Sequence, residues 1–146
     1  MDKKDEQILQ ILQENSKLST HKISKKTGIP ITTVHNRIKK LIKEGVVKGY
    51  SIVIDQKKIG KELAAYVLTM LDYSLLHTKK IGQHQVLNKI IKHPFVQEGS
   101  VVTGETDLLI KVRCANIEEL DDFLTEFMWT IEGVSKTRTA VVLYEP

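Results

Sequence analysis

Residues 31–45, ITTVHNRIKKLIKEG, combine hydrogen-bond donors and positive charge within about four helical turns. The polar positions hold two threonines, a histidine, an asparagine, an arginine and three lysines, and Glu44 is the only acid. Asparagine, threonine and arginine suit the acceptors and methyl groups that bases present in the major groove, whereas lysines suit phosphates. The chemistry that this segment predicts is recognition of double-stranded DNA.

A helix over 31–44 would separate these donors from the apolar residues, because successive side chains turn by about 100°. The stripe predicted to face inward consists of Ile31, Val34, Ile38, Leu41 and Ile42. The face predicted to contact DNA consists of Thr32, Thr33, His35, Asn36, Arg37, Lys39, Lys40 and Lys43, with His35 and Arg37 on its flanks. The alternative is a lysine-rich face that is simply solvated.

Two shorter helical patterns precede this segment and would position it. The first is predicted over about 3–14, with Asp2 as N-cap, and the second over about 20–27, opened by Ser19 or Thr20 and ended by Gly28. Three helices with a short Gly-containing turn before the last form a helix-turn-helix, whose last helix enters the major groove. Backbone N–H groups near Ser19, Thr20 and His21 are predicted to hold a further phosphate.

Charge is distributed unevenly between the two parts of the chain. Residues 1–49 hold eleven Lys and Arg against five acids, a net charge of +6, whereas residues 50–146 hold eleven against thirteen, a net charge of −2. This asymmetry indicates a basic module that meets a polyanion, joined to a near-neutral module with another role.

The rest of the chain predicts a second, α+β domain. Residues 46–55 suggest a short hairpin or extended strand, and QKKIGKE contains the predicted boundary. The expected domains are a helix-turn-helix over 1–54, a linker over 55–61 and a ferredoxin-like βαββαβ domain over 62–146. Its elements are predicted as strands at 63–73, 95–103, 107–114 and 134–145, and helices at 79–93 and 116–131.

Strand 63–73 is apolar on both faces, whichever of its two alternating sets points towards the helices. With helices on one side only, the other side of such a sheet needs a cover. We therefore expect a homodimer formed sheet to sheet, which would bring two recognition helices about one helical turn apart on a palindromic site.

The turn TGETDL at 103–108 has two interpretations. It can be merely a tight turn, with Gly104 at positive φ and Asp107 closing a local hydrogen bond. Alternatively, its N–H groups take a carboxylate and Asp107 takes an ammonium, which would suit a free amino acid.

No enzymatic signature accompanies these features. The five histidines lack metal-ligand spacing, and neither a Gly-rich phosphate loop nor a Ser-His-Asp arrangement can be placed, so we expect no catalytic residue, metal or cofactor. Cys114 is predicted to be a buried thiol. No apolar run of about 18 residues and no secretory signal is present, which favours a soluble cytoplasmic protein without a membrane partner.

Several motifs, taken in this order and spacing, resemble the Lrp/AsnC (feast/famine) family of transcription regulators over nearly the whole chain. They are D…IL..L..N in the first helix, TV..RI..L...GV..GY at 33–50, VTG..DLL at 102–109 and GV..T.T at 133–139. The family implies a winged-type helix-turn-helix joined to an amino-acid-metabolism regulatory (RAM) domain. It further implies dimers that assemble into tetramers or octamers, and the transcription machinery as a further partner.

The resemblance also implies roles for individual residues. It assigns DNA contact to Thr32, Thr33, Asn36, Arg37 and Lys40. It assigns effector binding, with an amino acid as the candidate, to Gly104, Glu105, Thr106, Asp107, Thr137 and Thr139. The chain departs from the family in having Pro30 where a serine usually caps the third helix, so Thr32, Thr33 or water is expected to cap it. It also lacks an aromatic residue at 105–106.

Three functions therefore compete. The first is a sequence-specific, amino-acid-responsive transcription regulator, and the second is an architectural, chromatin-like protein that wraps DNA. The third is a small-molecule-binding regulatory subunit whose helix-turn-helix docks on protein.

Overall fold

The structure, a computed structural model, describes residues 1–145 and contains two compact units that meet in sequence between Ile54 and Asp55. The first unit holds α1 (Lys3–Glu14), α2 (Thr20–Thr27) and α3 (Ile31–Lys43), which confirms the three predicted helices. Asp2 caps α1, Ser19 caps α2, and Gly28 ends α2 in a left-handed conformation with φ of 72°. These are the residue types that the cap positions favour.

The core of the first unit lies between the three helices. Val34 and Leu41 of α3 are buried there, and Ile38 is half-buried. The prediction that Ile31 and Ile42 face inward is wrong, because Ile31 is 42% exposed and Ile42 is 46% exposed. The other buried residues of this core are Ile8, Leu12, Ile23 and Ile29.

The hairpin or strand predicted at 46–55 is wrong. Residues 46–54 join no sheet within the described chain, and their backbone is tied to the helix by the Val47 N–H, which donates to the Leu41 carbonyl over 3.1 Å. A β-branched sequence alone does not form a ladder, since a strand needs a neighbour to take its hydrogen bonds. The winged-type form expected of the helix-turn-helix therefore lacks its β-wing in residues 46–54.

The second unit contains a four-stranded antiparallel sheet in the order β2-β3-β1-β4, which confirms the ferredoxin-like arrangement. A single turn of 3₁₀ helix, Lys57–Ile59, precedes it, within the segment predicted as linker. The strands are shorter than predicted: β1 is Leu63–Leu71, β2 is Val96–Val101, β3 is Leu108–Cys114 and β4 is Val134–Val141.

The helices of the second unit differ from the prediction. The helix expected at 79–93 is present but shorter, as α5 (Gln83–Ile90), and it is preceded by a helix that was not predicted, α4 (Tyr73–Lys79), which ends at Lys80 with φ of 54°. The helix expected at 116–131 begins as α6 (Ile117–Asp122) and continues as a π-helical turn (Phe123–Phe127) and a 3₁₀ turn (Met128–Thr130).

The helices cover one face of the sheet. Ala65, Val67 and Leu71 of β1 point into that core, where Cys114 is also buried, as predicted. The alternate residues of β1, Tyr66, Leu68 and Met70, therefore point to the opposite face, which we call the open face. No helix within residues 1–145 is long and apolar enough to cross a membrane.

Candidate nucleic-acid interface and effector turn

The outward face of α3 presents most of the side chains predicted to contact DNA. Packing of Val34 and Leu41 against the core directs the polar positions of the amphipathic helix away from it. Thr33 and Arg37 are half-buried on its borders. The fully exposed members of the predicted set on this helix are Thr32, His35, Asn36, Lys39, Lys40 and Lys43.

The start of α2 lies beside this face. Thr20, Ile31, Thr32, His35 and Asn36 line one shallow depression, so the leading ends of α2 and α3 are presented together. The Ser19 hydroxyl accepts from the Lys22 N–H over 3.3 Å, and both Ser19 and His21 are exposed. Ile31 is exposed between the polar groups at the start of α2 and those of α3, and it offers an apolar contact there.

No side chain caps α3. Pro30 occupies the N-cap position, and the first helical hydrogen bond runs from the Val34 N–H to the Pro30 carbonyl over 3.0 Å. The expectation that Thr32 or Thr33 caps this helix is therefore wrong. The first-turn N–H groups and the positive end of the helix dipole lie at the leading end of the outward face.

Arg37 differs from the rest of the predicted set because its charge is already paired. Its Nη1 lies 2.7 Å from both carboxylate oxygens of Asp2 and 2.8 Å from Oδ1 of Asp5. Asp2 and Asp5 also form a reciprocal capping box at the start of α1, with N–H to carboxylate distances of 3.0 Å in both directions. Sequence reasoning missed this cluster, since 32 and 35 positions separate its partners.

These contacts shift the ionisation of all three groups. The hydrogen bond from Arg37 lowers the pKa of Asp2. The pKa of Asp5 is lowered first by the backbone N–H of Asp2 and then by Arg37. The two carboxylates, Asp5 ahead of Asp2, raise the pKa of Arg37. The cluster is therefore fully ionised at neutral pH.

The predicted effector turn connects β2 and β3. Gly104 has φ of 112°, which a glycine adopts without strain. Both the backbone and the side chain of Asp107 form hydrogen bonds with β1. Its N–H donates to the Thr69 carbonyl over 3.0 Å, and its Oδ2 accepts from the Leu71 N–H over 2.8 Å. Its Oδ1 accepts the Tyr73 hydroxyl over 2.7 Å, which raises the pKa of Tyr73. Each carboxylate oxygen retains a further lone pair for a ligand.

The two threonines predicted as wall residues lie on β4. Thr137 pairs with Thr69 and Thr139 with Val67 across the β1–β4 ladder. Glu105 and Thr106 complete the turn, and Arg138 approaches the exposed Glu105 to 3.9 Å. Thr69 was not predicted: its hydroxyl is buried and has no hydrogen-bond partner among the described residues. Its position within the apolar strand β1 gives no sequence signal for a site.

No group of three His, Cys, Asp or Glu side chains in residues 1–145 is arranged to hold a metal ion.

Comparison with known proteins agrees with the division into two units. Residues 1–48 match the winged helix-turn-helix DNA-binding family, and residues 73–146 match the Lrp/AsnC ligand binding domain. The HTH-type transcriptional regulator FL11 of Pyrococcus furiosus is 35% identical over 98% of this chain and 89% of its own length. An uncharacterized HTH-type transcriptional regulator of the same organism is 39% identical over 97% of this chain and 91% of its own length.

Solved structures extend the likeness to the whole fold. Escherichia coli AsnC is 26% identical, with a TM-score of 0.84 over 100% of this chain and 94% of its own. A transcriptional regulator from Neisseria meningitidis, solved as a complex with L-Met, has a TM-score of 0.87 at 24% identity over 99% and 91% of the two chains. Its likeness to this chain is one of fold.

A helix-turn-helix with an open donor face, followed by an antiparallel βαββαβ domain, defines a two-domain DNA-binding transcription regulator. The chain belongs to the Lrp/AsnC family, whose members are transcription regulators and not enzymes. The fold and the DNA-binding function expected from the sequence are thus confirmed.

Proposed function

We propose that this protein is a sequence-specific DNA-binding regulator that reads bases with the leading half of α3. The observation that carries the proposal is that Thr32 and Asn36 are exposed, whereas Val34 of the same turn is buried against α1 and α2. Asparagine reads adenine through its amide, and a threonine methyl can contact thymine. Lys39, Lys40 and Lys43 are proposed to contact phosphates, as are Ser19, Thr20 and His21 at the start of α2.

A homodimer is proposed to form through the open face of the sheet. Tyr66 and Leu109 are exposed there, and Leu68 lies directly opposite Leu109 in the β1–β3 ladder. Such an apolar patch at the centre of a sheet is stabilised when a second copy excludes water from it. Two copies would present two recognition helices to a palindromic site. Further assembly into tetramers or octamers, and contact with the transcription machinery, are part of the same proposal.

The effector is proposed to be a free amino acid bound at the turn Gly104–Asp107. The match to a ligand binding domain and the L-Met complex of the Neisseria meningitidis regulator support this choice. The lone pairs left on the Asp107 carboxylate suit an ammonium group, and the unpaired hydroxyl of Thr69 supplies a buried polar group on the strand next to Thr137. An effector here would bridge β1, β3 and β4.

Selection of bound duplexes from a random pool, with and without each amino acid, tests this function. A discrete palindromic consensus whose enrichment changes with one amino acid is the expected result. Footprints that cover DNA continuously, without a consensus, would indicate an architectural protein instead. Failure to retain any duplex at moderate salt would contradict DNA reading altogether.

A further inference from the structure

Asp2 and Asp5 hold the only arginine of residues 1–54 against the start of α1. The Asp5 side chain is 7% exposed and that of Arg37 is 26% exposed, so the ion pair is partly shielded from water. All three short contacts involve Nη1 of Arg37, and Nε and Nη2 of Arg37 make no hydrogen bond among the described residues. The Nη1 group of Arg37 is therefore occupied by the two carboxylates.

This ion pair stands at the edge of the surface proposed to read DNA. Asp2, Asp5 and Arg37 line one depression together with Thr33, Asn36 and Lys40. The two carboxylates compensate the charge of Arg37 at this edge, which also holds Lys40 and the N-terminal residue Met1. A phosphate approaching this edge would meet an arginine that is already paired instead of a free arginine.

We propose that Asp2 and Asp5 are specificity-determining residues that withhold Arg37 from phosphate contact. The inference rests on the proposed reading of DNA by α3. A free arginine at this place would form bidentate hydrogen bonds with phosphate oxygens and strengthen binding to every sequence alike. Because the carboxylates hold Arg37, it makes no such phosphate contact. The base contacts of Thr32 and Asn36 therefore account for a larger share of the affinity.

The experiment compares the double variant Asp2→Asn/Asp5→Asn with Glu6→Gln/Glu14→Gln, each of which removes two negative charges from α1 or its N-cap. Asparagine at position 2 retains an acceptor for the N–H groups of residues 4 and 5, so the helix cap is kept while both charges that hold Arg37 are lost. Glu6 and Glu14 are exposed and make no ion pair with Arg37. The measurement is the affinity for a random-sequence duplex as a function of salt concentration.

Asp2→Asn/Asp5→Asn is expected to steepen the logarithmic salt dependence by about 0.9, the value for one added phosphate contact. Its gain over the unaltered chain should then grow roughly threefold when salt is lowered fourfold. Glu6→Gln/Glu14→Gln is expected to leave the slope unchanged. Introducing Arg37→Gln should abolish the effect of Asp2→Asn/Asp5→Asn, which a double-mutant cycle measures directly.

Two results would overturn the inference. Equal slopes for Asp2→Asn/Asp5→Asn and Glu6→Gln/Glu14→Gln would mean that the two carboxylates do not restrain Arg37. A flatter slope for Arg37→Gln alone would mean that Arg37 already contacts a phosphate. Circular dichroism melting of each variant identifies loss of the fold. Absence of duplex binding by the unaltered chain would overturn the proposed function and this inference together, a result that differs from both of the others.

Discussion

The hydroxyl of Tyr73 donates to Oδ1 of Asp107 over 2.7 Å, and the backbone N–H of Leu71 donates to Oδ2 of the same carboxylate over 2.8 Å. One side chain thereby joins three pieces of structure: the end of β1, the start of α4 and the turn that enters β3. Asp107 is thus a structural joint of the second unit as well as a proposed effector contact, and the two roles can be tested separately.

Asp107→Asn is expected to destabilise the second unit by about 1–3 kcal/mol. The amide removes the charge that strengthens both hydrogen bonds, and its NH2 group faces either the Leu71 N–H or the Tyr73 hydroxyl, which must then accept instead of donate. Trp129 is the only tryptophan of the chain and lies in the second unit, so its fluorescence during urea unfolding reports this unit. Glu105→Gln, a neighbouring change on an exposed side chain, should leave the urea midpoint in place, and an equal shift for both variants would contradict the assignment.

Tyr73 is expected to ionise later than an ordinary tyrosine as pH rises, because its pKa is raised by the hydrogen bond to Asp107. The neutral phenol stabilises the folded state, and this contribution is present below the unfolded-state pKa and is lost as pH rises through the higher folded-state value. Ultraviolet difference titration measures it: Tyr73→Phe should remove a component from the high-pH end of the curve. Removal of a component from the low-pH end would show that the hydrogen bond is absent in solution.

The sequence predicted those parts of the fold that depend on local chemistry. Asp2, Ser19 and Gly28 are typical cap residues at typical places, and they located the ends of α1 and α2 to within a residue. The order of elements in the second unit was equally accessible, because β-branched runs alternate with longer amphipathic ones. Resemblance to the Lrp/AsnC family supplied the function that these elements alone left open.

The missed helix α4 had a local signal, whereas the other errors arose because non-local partners decided the outcome. Asp72 caps α4 by accepting the Leu75 N–H over 2.9 Å, but its place after an apolar strand concealed that signal. Residues 46–54 have strand-forming composition and lack a neighbouring strand within the described chain. The ion pairs of Arg37 likewise depend on the packing of α1 against α3, which no spacing reveals.

The different burial of two isoleucines predicts a difference in stability for the same substitution. Ile8 is fully buried in the first core, whereas Ile42 on α3 is 46% exposed. Ile8→Ala is expected to cost about 2–5 kcal/mol, through lost burial and the cavity left behind, which is severe for a core of this size. Ile42→Ala should cost well under half as much. Thermal melting followed by helical circular dichroism compares them, and equal costs would mean that Ile42 is buried in solution.

A charge on the open face is expected to separate the proposed dimer. Leu109 is 36% exposed at the centre of that face, so Leu109→Lys is compatible with the folded monomer but places an ammonium group within the interface. Sedimentation equilibrium should give the mass of one 16.6 kDa chain for this variant and at least twice that mass for the unaltered protein. Ile117→Lys adds the same charge to an exposed residue of α6 in the helical layer and serves as control. An unaltered chain that sediments as a monomer would exclude the dimer.

Asn36 and Lys40 lie one helical turn apart on the outward face of α3, and their loss is expected to have different consequences. Asn36→Ala removes a base reader, so it should relax preference at one position of the selected site, at a cost of about 1–3 kcal/mol for the preferred base. Lys40→Ala removes a phosphate contact and should weaken all duplexes alike, with a salt dependence flatter by about 0.9. Lys40 pairs only loosely with Glu44, at 3.8 Å between two exposed groups, so the variant should keep the stability of the parent.

These two variants control for each other in one set of measurements, affinity for the selected duplex and for single-base variants at several salt concentrations. A change in base preference with an unchanged salt slope identifies Asn36 as a reader, and the converse identifies Lys40 as a phosphate contact. If both variants only reduced affinity uniformly, the leading half of α3 would not be reading bases. Specificity would then have to arise from the shape and deformability of the DNA.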